Sequence, residues 1–267
     1  MAEKADSSEM SFWSHLDALR KVLFRIAVVV FAAAAVLFCA MPWLFDNVIM
    51  APARPGFPLY RLFDMLSIPG MTDEPEAPFS ISLINTELSA QLFTHMSLSG
   101  YLALVITFPI VIYLLWTFIR PALYEHERKN ATTAFLFGNI MFYIGVAVGY
   151  FLVFPLTLRF LATYKLSELI DNTFTLESYM DNFTGICLIM GAVFELPLLA
   201  WLLGKMGILH RSFFHKYRRH AVVALLVVAA LITPTGDPFT LFVVFFPLYA
   251  LWEFSAWIVP KAPPEEA

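Results

Sequence analysis

At 267 residues, 60% hydrophobic and only 14% charged, with a mean hydropathy of +0.72, the chain is too apolar to leave a soluble surface and reads as an integral membrane protein. The small net charge of -4, with no basic stripe interleaved with aromatics, excludes nucleic acid as a partner. Cys39 and Cys187 both lie in apolar runs and read as packing thiols that fix no redox compartment.

A helix needs about 20 apolar residues to cross the hydrocarbon and must satisfy its own backbone there. The first such run is 22–41, where Arg25 can snorkel to the interface. Arg20 and Lys21 precede it and no small-residue cleavage pattern follows at Met41 and Pro42, so it reads as an anchor rather than a removed signal. A proline-rich, irregular connection over 42–94 comes next, with a short helix at 60–66 and the acidic residues Asp73, Glu74 and Glu76. The second and third spans, 98–119 and 131–158, carry no formal charge. A polar loop at 159–178 leads to the fourth, 179–203, interrupted by Asp181 and Glu195. The fifth, 221–232, is short, reaching only about 18 Å, and needs snorkelling neighbours or a thinned bilayer. A tight turn, PTGDP at 234–238, joins it to the sixth, 239–259, with Glu253 near its end. The expected architecture is all-α: six transmembrane helices in one domain over 1–260, with a short tail at 261–267. The prolines at 109, 155, 197 and 247 do not recur at matching places in two halves, which weakens an inverted-repeat transporter.

Thirteen of the 17 Lys and Arg residues fall on the side of the two termini and four on the other, which by the positive-inside rule makes both termini cytoplasmic. The segment FIRPALYEHERK, 118–129, is then a cytoplasmic loop between the second and third spans. Its carboxylates, Glu125 and Glu127, suit recognition of a cation, since a guanidinium fork makes two charge-assisted hydrogen bonds to a carboxylate. An ordinary solvated loop in which Glu127 pairs with Arg128 or Lys129 remains the other reading of the string alone.

Glu195 is the second point of interest. An ionisable group deep in a span is costly and faces protein, a cavity or a partner. In GAVFELPL, 191–198, Pro197 removes the donor that would reach Val193, so the helix can bend beside the carboxyl. A neutral Glu195 that merely ties two helices together is the competing reading. Another class, a proton-coupled small-solute transporter using Glu195, needs polar groups at mid-bilayer, where spans two, three and six offer little beyond Thr107, Asn139 and Ser255.

No phosphate-cradling loop, GxSxG turn or HExxH pair occurs, so no enzyme and no cofactor are expected. His210, His215 and His220 recur every five residues, about 140° apart on a helix, and do not converge on a metal.

Taken in order, SHLDALRK (14–21), FPIVIYLLWTFIRPALYEHERK (108–129), FYIGVAVGYFLVFP (142–155), the FELP of the fourth span and ITPTGDPFT (232–240) resemble TatC, the multispanning receptor family of the twin-arginine protein translocase, over nearly the whole chain. The resemblance implies a concave, cupped-hand bundle with a short fifth span, in the bacterial inner membrane. It implies binding of Arg-Arg signal peptides of folded cargo at the cytoplasmic face. It further implies export with TatA/TatB-type single-span partners, other copies of the chain and surrounding lipid, driven by the proton-motive force.

The family's loop glutamate falls on Glu127, with Glu125, Phe118, Pro121, Leu123 and Tyr124 completing the loop, and Pro52 matches a proline of the first outer loop. Its intramembrane glutamate falls on Glu195, and its partner-docking turn on Thr233, Pro234 and Asp237. A second family glutamate belongs in the N-terminal segment, where this chain has Ala18. Asp17 and Arg20 flank that place, and Asp17 points about 100° away from it if the segment is helical. A family glutamine after the turn is replaced here by Thr240 or Leu241.

Overall fold

The computed structural model describes residues 12–66, 81–119, 125–167, 169, 172–205, 207–233 and 237–260, with only the backbone described at 12–15, 119 and 125–135. The first apolar run forms α1 (Phe12–Leu44), longer at both ends than the hydrocarbon requires. It passes through a π turn (Phe45–Ile49) and a 3-10 turn (Ala51–Ala53) into α2 (Pro58–Leu66), which is the short helix expected at 60–66, while the two turns before it add helical structure to a stretch that reads as irregular in the sequence. The other helices are α3 (Ala90–Ile119), α4 (Glu125–Val148), α5 (Phe154–Thr163), α6 (Leu176–Val193), α7 (Leu196–Lys205), α8 (Arg211–Lys216), α9 (Arg218–Ile232) and α10 (Pro238–Ile258). A five-residue π turn, Gly149–Val153, joins α4 to α5, so the third span is one rod from 125 to 163. Two short parallel strands, β1 (Leu83–Ile84) and β2 (Phe174–Thr175), tie the two connections at one end together.

Five helical stretches among the described residues are long and apolar enough to cross a membrane. The sixth crossing is α9, whose 15 residues reach about 22 Å, so its short length is a property of the helix and not only of its apolar core. The connections before β1 and β2 lie at one end of the bundle, the loop-rich end. The basic residues of α8 and the start of α9 lie at the other, the charge-rich end.

Interior prolines shape the rods, because each strips the carbonyl four residues earlier of its helical donor. Pro42 orphans the Phe38 carbonyl, and His95 of α3 donates to it through Nε2 at 2.8 Å while its ring stacks on Phe38 at 3.8 Å. Pro109 orphans the Val105 carbonyl, and the Tyr143 hydroxyl of α4 donates to it at 3.2 Å. The π turn after α1 leaves further carbonyls open. Tyr150 donates to Val48 at 2.8 Å and Tyr179 to Ile49 at 2.7 Å, while the Tyr60 hydroxyl lies 2.8 Å from the Pro52 carbonyl and 3.2 Å from that of Pro155. A neighbouring segment supplies a side-chain donor each time, which ties packing to backbone satisfaction.

The core runs through α6, whose Tyr179, Phe183, Ile186 and Met190 are buried together with Val153, Phe154, Leu225, Val244 and Leu248. In a membrane, burial of apolar surface supplies little drive between helices, so close approach must do the work. Glycines on α4 and α6 permit it. A Cβ on Gly145 would lie 2.6 Å from the Met190 carbonyl oxygen and 2.7 Å from the Phe194 Cβ, and one on Gly191 would lie 2.8 Å from Val146 Cγ2. Large exposed side chains such as Phe31, Phe24 and Val36 on α1 face the lipid side of the bundle.

Candidate functional site

Three places carry the functional residues expected from the sequence: the charge-rich end, the break between α6 and α7, and the turn between α9 and α10. The first is the charge-rich end, where α1 begins and α3 hands over to α4. Adjacent spans run antiparallel, and the Phe38–His95 contact sets the register of α1 against α3. The same length of helix, about 31 Å, separates Phe38 from Asp17 and His95 from Trp116. Asp17 therefore lies level with Trp116, just short of the half-buried Phe118.

Helix α1 is regular through this region, so the 100° offset between Asp17 and Ala18 holds. Asp17 and Arg20 are exposed, whereas Ala18 is half-buried. The position matching the missing family glutamate thus faces partly inward and its acidic neighbour faces open space. Asp17 has Arg20 and Lys21 one turn away on its own helix, a spacing at which pairing contributes little.

Glu125 and Glu127 are the first and third residues of α4. Carboxylates in a first turn complement the partial positive charge of the helix start, which favours beginning α4 here, directly after the proline turn in the sequence. Pro121, Leu123 and Tyr124 lie outside the described residues.

The second place is the break between α6 and α7. The sequence suggests a bend at Pro197. The backbone parts slightly earlier, at Phe194 and Glu195, where the Glu195 amide reaches Ala192 at 3.1 Å in a tighter turn before α7 resumes at Leu196. Glu195 is half-buried and its Oε1 is shielded without a hydrogen-bond partner among the described residues. Its Oε2 faces Gly138 of α4, lying 3.0 Å from where a Cβ there would stand, and Leu198 Cδ2 closes the same notch at 2.6 Å. Buried Asn139 is the next residue on α4.

Gly138 was not singled out by sequence reasoning. Its spacing of seven and eleven from Gly145 and Gly149 places all three on one helix face, a pattern that signals a close helix contact. The hydroxyls of Thr107 and Ser255, two of the polar groups expected at mid-bilayer, return to their own helices, donating to Ala103 and Leu251 at 2.7 Å each.

At the loop-rich end, Thr233 is buried and donates to Ala229 at 3.0 Å, closing α9. Asp237 caps α10, its Oδ1 accepting from the Thr240 amide at 2.7 Å with Pro238 following, as helix starts favour. Both residues therefore have helix-terminating work, and Pro234 lies outside the described residues. Arg218 and Glu253 form an exposed ion pair at 2.6 Å joining α9 to α10 at the charge-rich end. No cluster of His, Cys, Asp or Glu able to hold a metal occurs among the described residues.

The model of the family described as Sec-independent protein translocase protein (TatC) matches residues 14–247. A protein of that name from Blattabacterium sp. subsp. Periplaneta americana is 31% identical over 258 residues, covering 96% of this chain and 97% of its own. Another, from Escherichia coli K12, is 29% identical over 252 residues, covering 93% and 89%. A crystal structure described as the twin arginine translocase receptor TatC superposes with a TM-score of 0.69 at 25% identity, covering 91% of this chain and 97% of that one.

Proposed function

Because the chain belongs to the TatC family of Sec-independent protein translocase proteins, and is thus a multi-pass inner-membrane component of a Tat translocase, we propose that it is the receptor for twin-arginine signal peptides. Both termini and the 118–129 segment face the cytoplasm in this reading, on the strength of the Lys and Arg distribution. Glu127 is the principal carboxylate for the arginine pair, with Glu125 and Asp17 as secondary ones. Arg20, Phe118, Pro121, Leu123 and Tyr124 shape the surrounding surface.

The observation that supports the proposal is the level of Asp17 beside Trp116 and Phe118, at the end of the bundle where α4 starts with Glu125 and Glu127; among the described residues of the N-terminal segment Asp17 is the acidic one next to Ala18. The apolar part of the signal peptide then runs along the spans toward the notch formed by Glu195 and Gly138. A half-exposed carboxyl there offers a polar contact to a signal peptide or partner helix. Thr233, Pro234 and Asp237 form the docking surface for TatA/TatB-type single-span partners, and other copies of the chain complete the assembly. On this reading the chain is a transport receptor rather than an enzyme, and the proton-motive force that the family resemblance implies supplies the energy, in keeping with a sequence that carries no nucleotide motif.

The test is crosslinking and affinity of an Arg-Arg signal peptide against its Lys-Lys variant, on the wild-type chain and on Glu127→Ala. Losing a bidentate charge-assisted contact costs about 1.5–3 kcal/mol, so the Arg-Arg peptide is expected to bind at least roughly tenfold better, and Glu127→Ala to remove most of that advantage. Equal binding of both peptides with no effect of Glu127→Ala refutes the receptor site. Glu195→Ala is expected to keep surface binding and lose export.

A further inference from the structure

A cleft of about 530 Å³ opens at the loop-rich end between the end of α1, the start of α3 and β1, and belongs to none of the three places described above. Its polarity is graded along the helix axes. Met41 and Leu98, both almost fully buried, close the inner end. Phe45 and Leu83 wall it, and the polar lining is Asp46, Asn85, Gln91, Thr94 and His95. On α3 the lining passes from apolar Leu98 to polar Gln91 over about 10 Å toward the end of the bundle.

Asp46, Asn85 and Gln91 are exposed, so their polar atoms are open to an occupant. Asp46 is the only formal charge among the described lining residues, and its carboxylate has no ion pair or hydrogen bond among the described residues. The side-chain amides of Asn85 and Gln91 are likewise unengaged there. His95 is partly committed, because its Nε2 already meets the Phe38 carbonyl. Trp43, Leu92, Phe93 and Met96 flank these residues in the sequence and are exposed, which sets apolar helix surface, with a tryptophan suited to the membrane interface, beside the cleft.

An occupant of this cleft needs an apolar part for the inner end, acceptors for the two amides and a cation with N–H donors for Asp46. We infer that the cleft binds one phospholipid with a zwitterionic, primary-amine headgroup, phosphatidylethanolamine. Its ammonium donates to the Asp46 carboxylate in a charge-assisted contact. Its phosphate accepts from the Asn85 and Gln91 amides and keeps the ammonium as its own counter-charge, so the lining requires no Lys or Arg. The glycerol backbone and the start of the acyl chains lie against Phe45 and Leu83. Phosphatidylglycerol brings a net negative headgroup with no cation to Asp46, and phosphatidylcholine brings a cation with no N–H donor. A soluble amine satisfies Asp46 but leaves the apolar inner end unfilled.

The test uses the full chain in detergent, with the three lipids carrying identical acyl chains added in equal amounts and retained lipid read by native mass spectrometry. One phosphatidylethanolamine per chain is expected to be retained about tenfold over each of the others. Asp46→Asn, a nearly isosteric change at an exposed residue, is expected to cut that preference to about twofold or less with an unchanged unfolding midpoint, and Asp46→Glu to keep most of it. Asn85→Ala combined with Gln91→Ala is expected to weaken phosphatidylethanolamine retention about fivefold on its own. Equal retention of the three lipids, a full preference persisting in Asp46→Asn, or retention unaffected by the double variant overturns the proposal. Displacement of the lipid by free phosphoethanolamine at equal concentration also overturns it, because the occupant would then be a soluble amine.

Discussion

The His95 contact to the Phe38 carbonyl makes a sharp test of how this bundle tolerates prolines. His95→Phe keeps an aromatic ring to stack on Phe38 and removes the donor. The orphaned carbonyl lies near the loop-rich end, beside a cleft of about 530 Å³ lined in part by Pro42, Asp46, Asn85 and His95, so water can reach it and soften the loss. The expected cost is therefore near the low end for an unmade buried hydrogen bond, about 1 kcal/mol, or roughly 2–4 °C in the midpoint of thermal unfolding for a chain of this size. Pro42→Ala restores an N–H at position 42 that reaches the same carbonyl from within α1. In that background His95→Phe should cost almost nothing, and the double-mutant cycle should return a coupling of about 1 kcal/mol. The assay is thermal unfolding of the purified chain in detergent for wild type, both single variants and the double. Additive effects would show that His95 acts through packing alone and refute the donor-replacement argument.

The same device sits deeper at Pro109, where Val105 is halfway along α3 and far from water. Tyr143→Phe is expected to cost more than His95→Phe, about 2 kcal/mol, with Pro109→Ala again rescuing it in the unfolding assay. The glycines of α4 divide by what a methyl group would meet. Gly145→Ala drives a Cβ into a backbone oxygen at 2.6 Å and should lower the unfolding midpoint by several degrees, since overpacking of about 1–3 kcal/mol outweighs the helix-propensity gain of roughly 1 kcal/mol. Gly185→Ala meets nothing within 4 Å and should be neutral or stabilising. A Gly145→Ala chain as stable as Gly185→Ala would mean that α4 and α6 do not pack as closely as described.

Apolar length and the scarcity of charge make the crossings readable, because hydrocarbon leaves a chain few other options. The short α9 was legible for the same reason. The break beside Glu195 was half-legible: Pro197 announces a bend, while the parting at 194–195 follows from how α7 restarts. The tyrosine and histidine donors were not legible. Tyr179 meets Ile49 across 130 residues of sequence and Tyr150 meets Val48 across 102, and nothing local pairs them. Asp237 is a different case: an aspartate before proline at a helix start is a readable cap, and the structure adds the capping bond to Thr240 beside the partner-docking role proposed for it. Pro121, Leu123, Tyr124 and Pro234 lie outside the described residues, so the proposals on them rest on the sequence.

The two ends of the bundle differ in a way that bears on recognition. At the loop-rich end, neighbouring side chains meet the carbonyls freed by Pro42 and by the π turn after α1, which leaves those groups little affinity to spare for a visitor. At the charge-rich end, Asp17 stands exposed with Arg20 and Lys21 as helix neighbours, and such pairs are worth only about 0.2–0.5 kcal/mol. A guanidinium gripping a carboxylate through two hydrogen bonds gains several times that. On the proposed reading, an incoming arginine pair meets little competition at Asp17 from the neighbouring cations of α1, whereas a lysine pair, with no fork to offer, stands on nearly equal terms with Lys21. Discrimination between the two peptides then comes from geometry more than from charge, and it should persist as salt is raised while the shared electrostatic attraction of both peptides weakens.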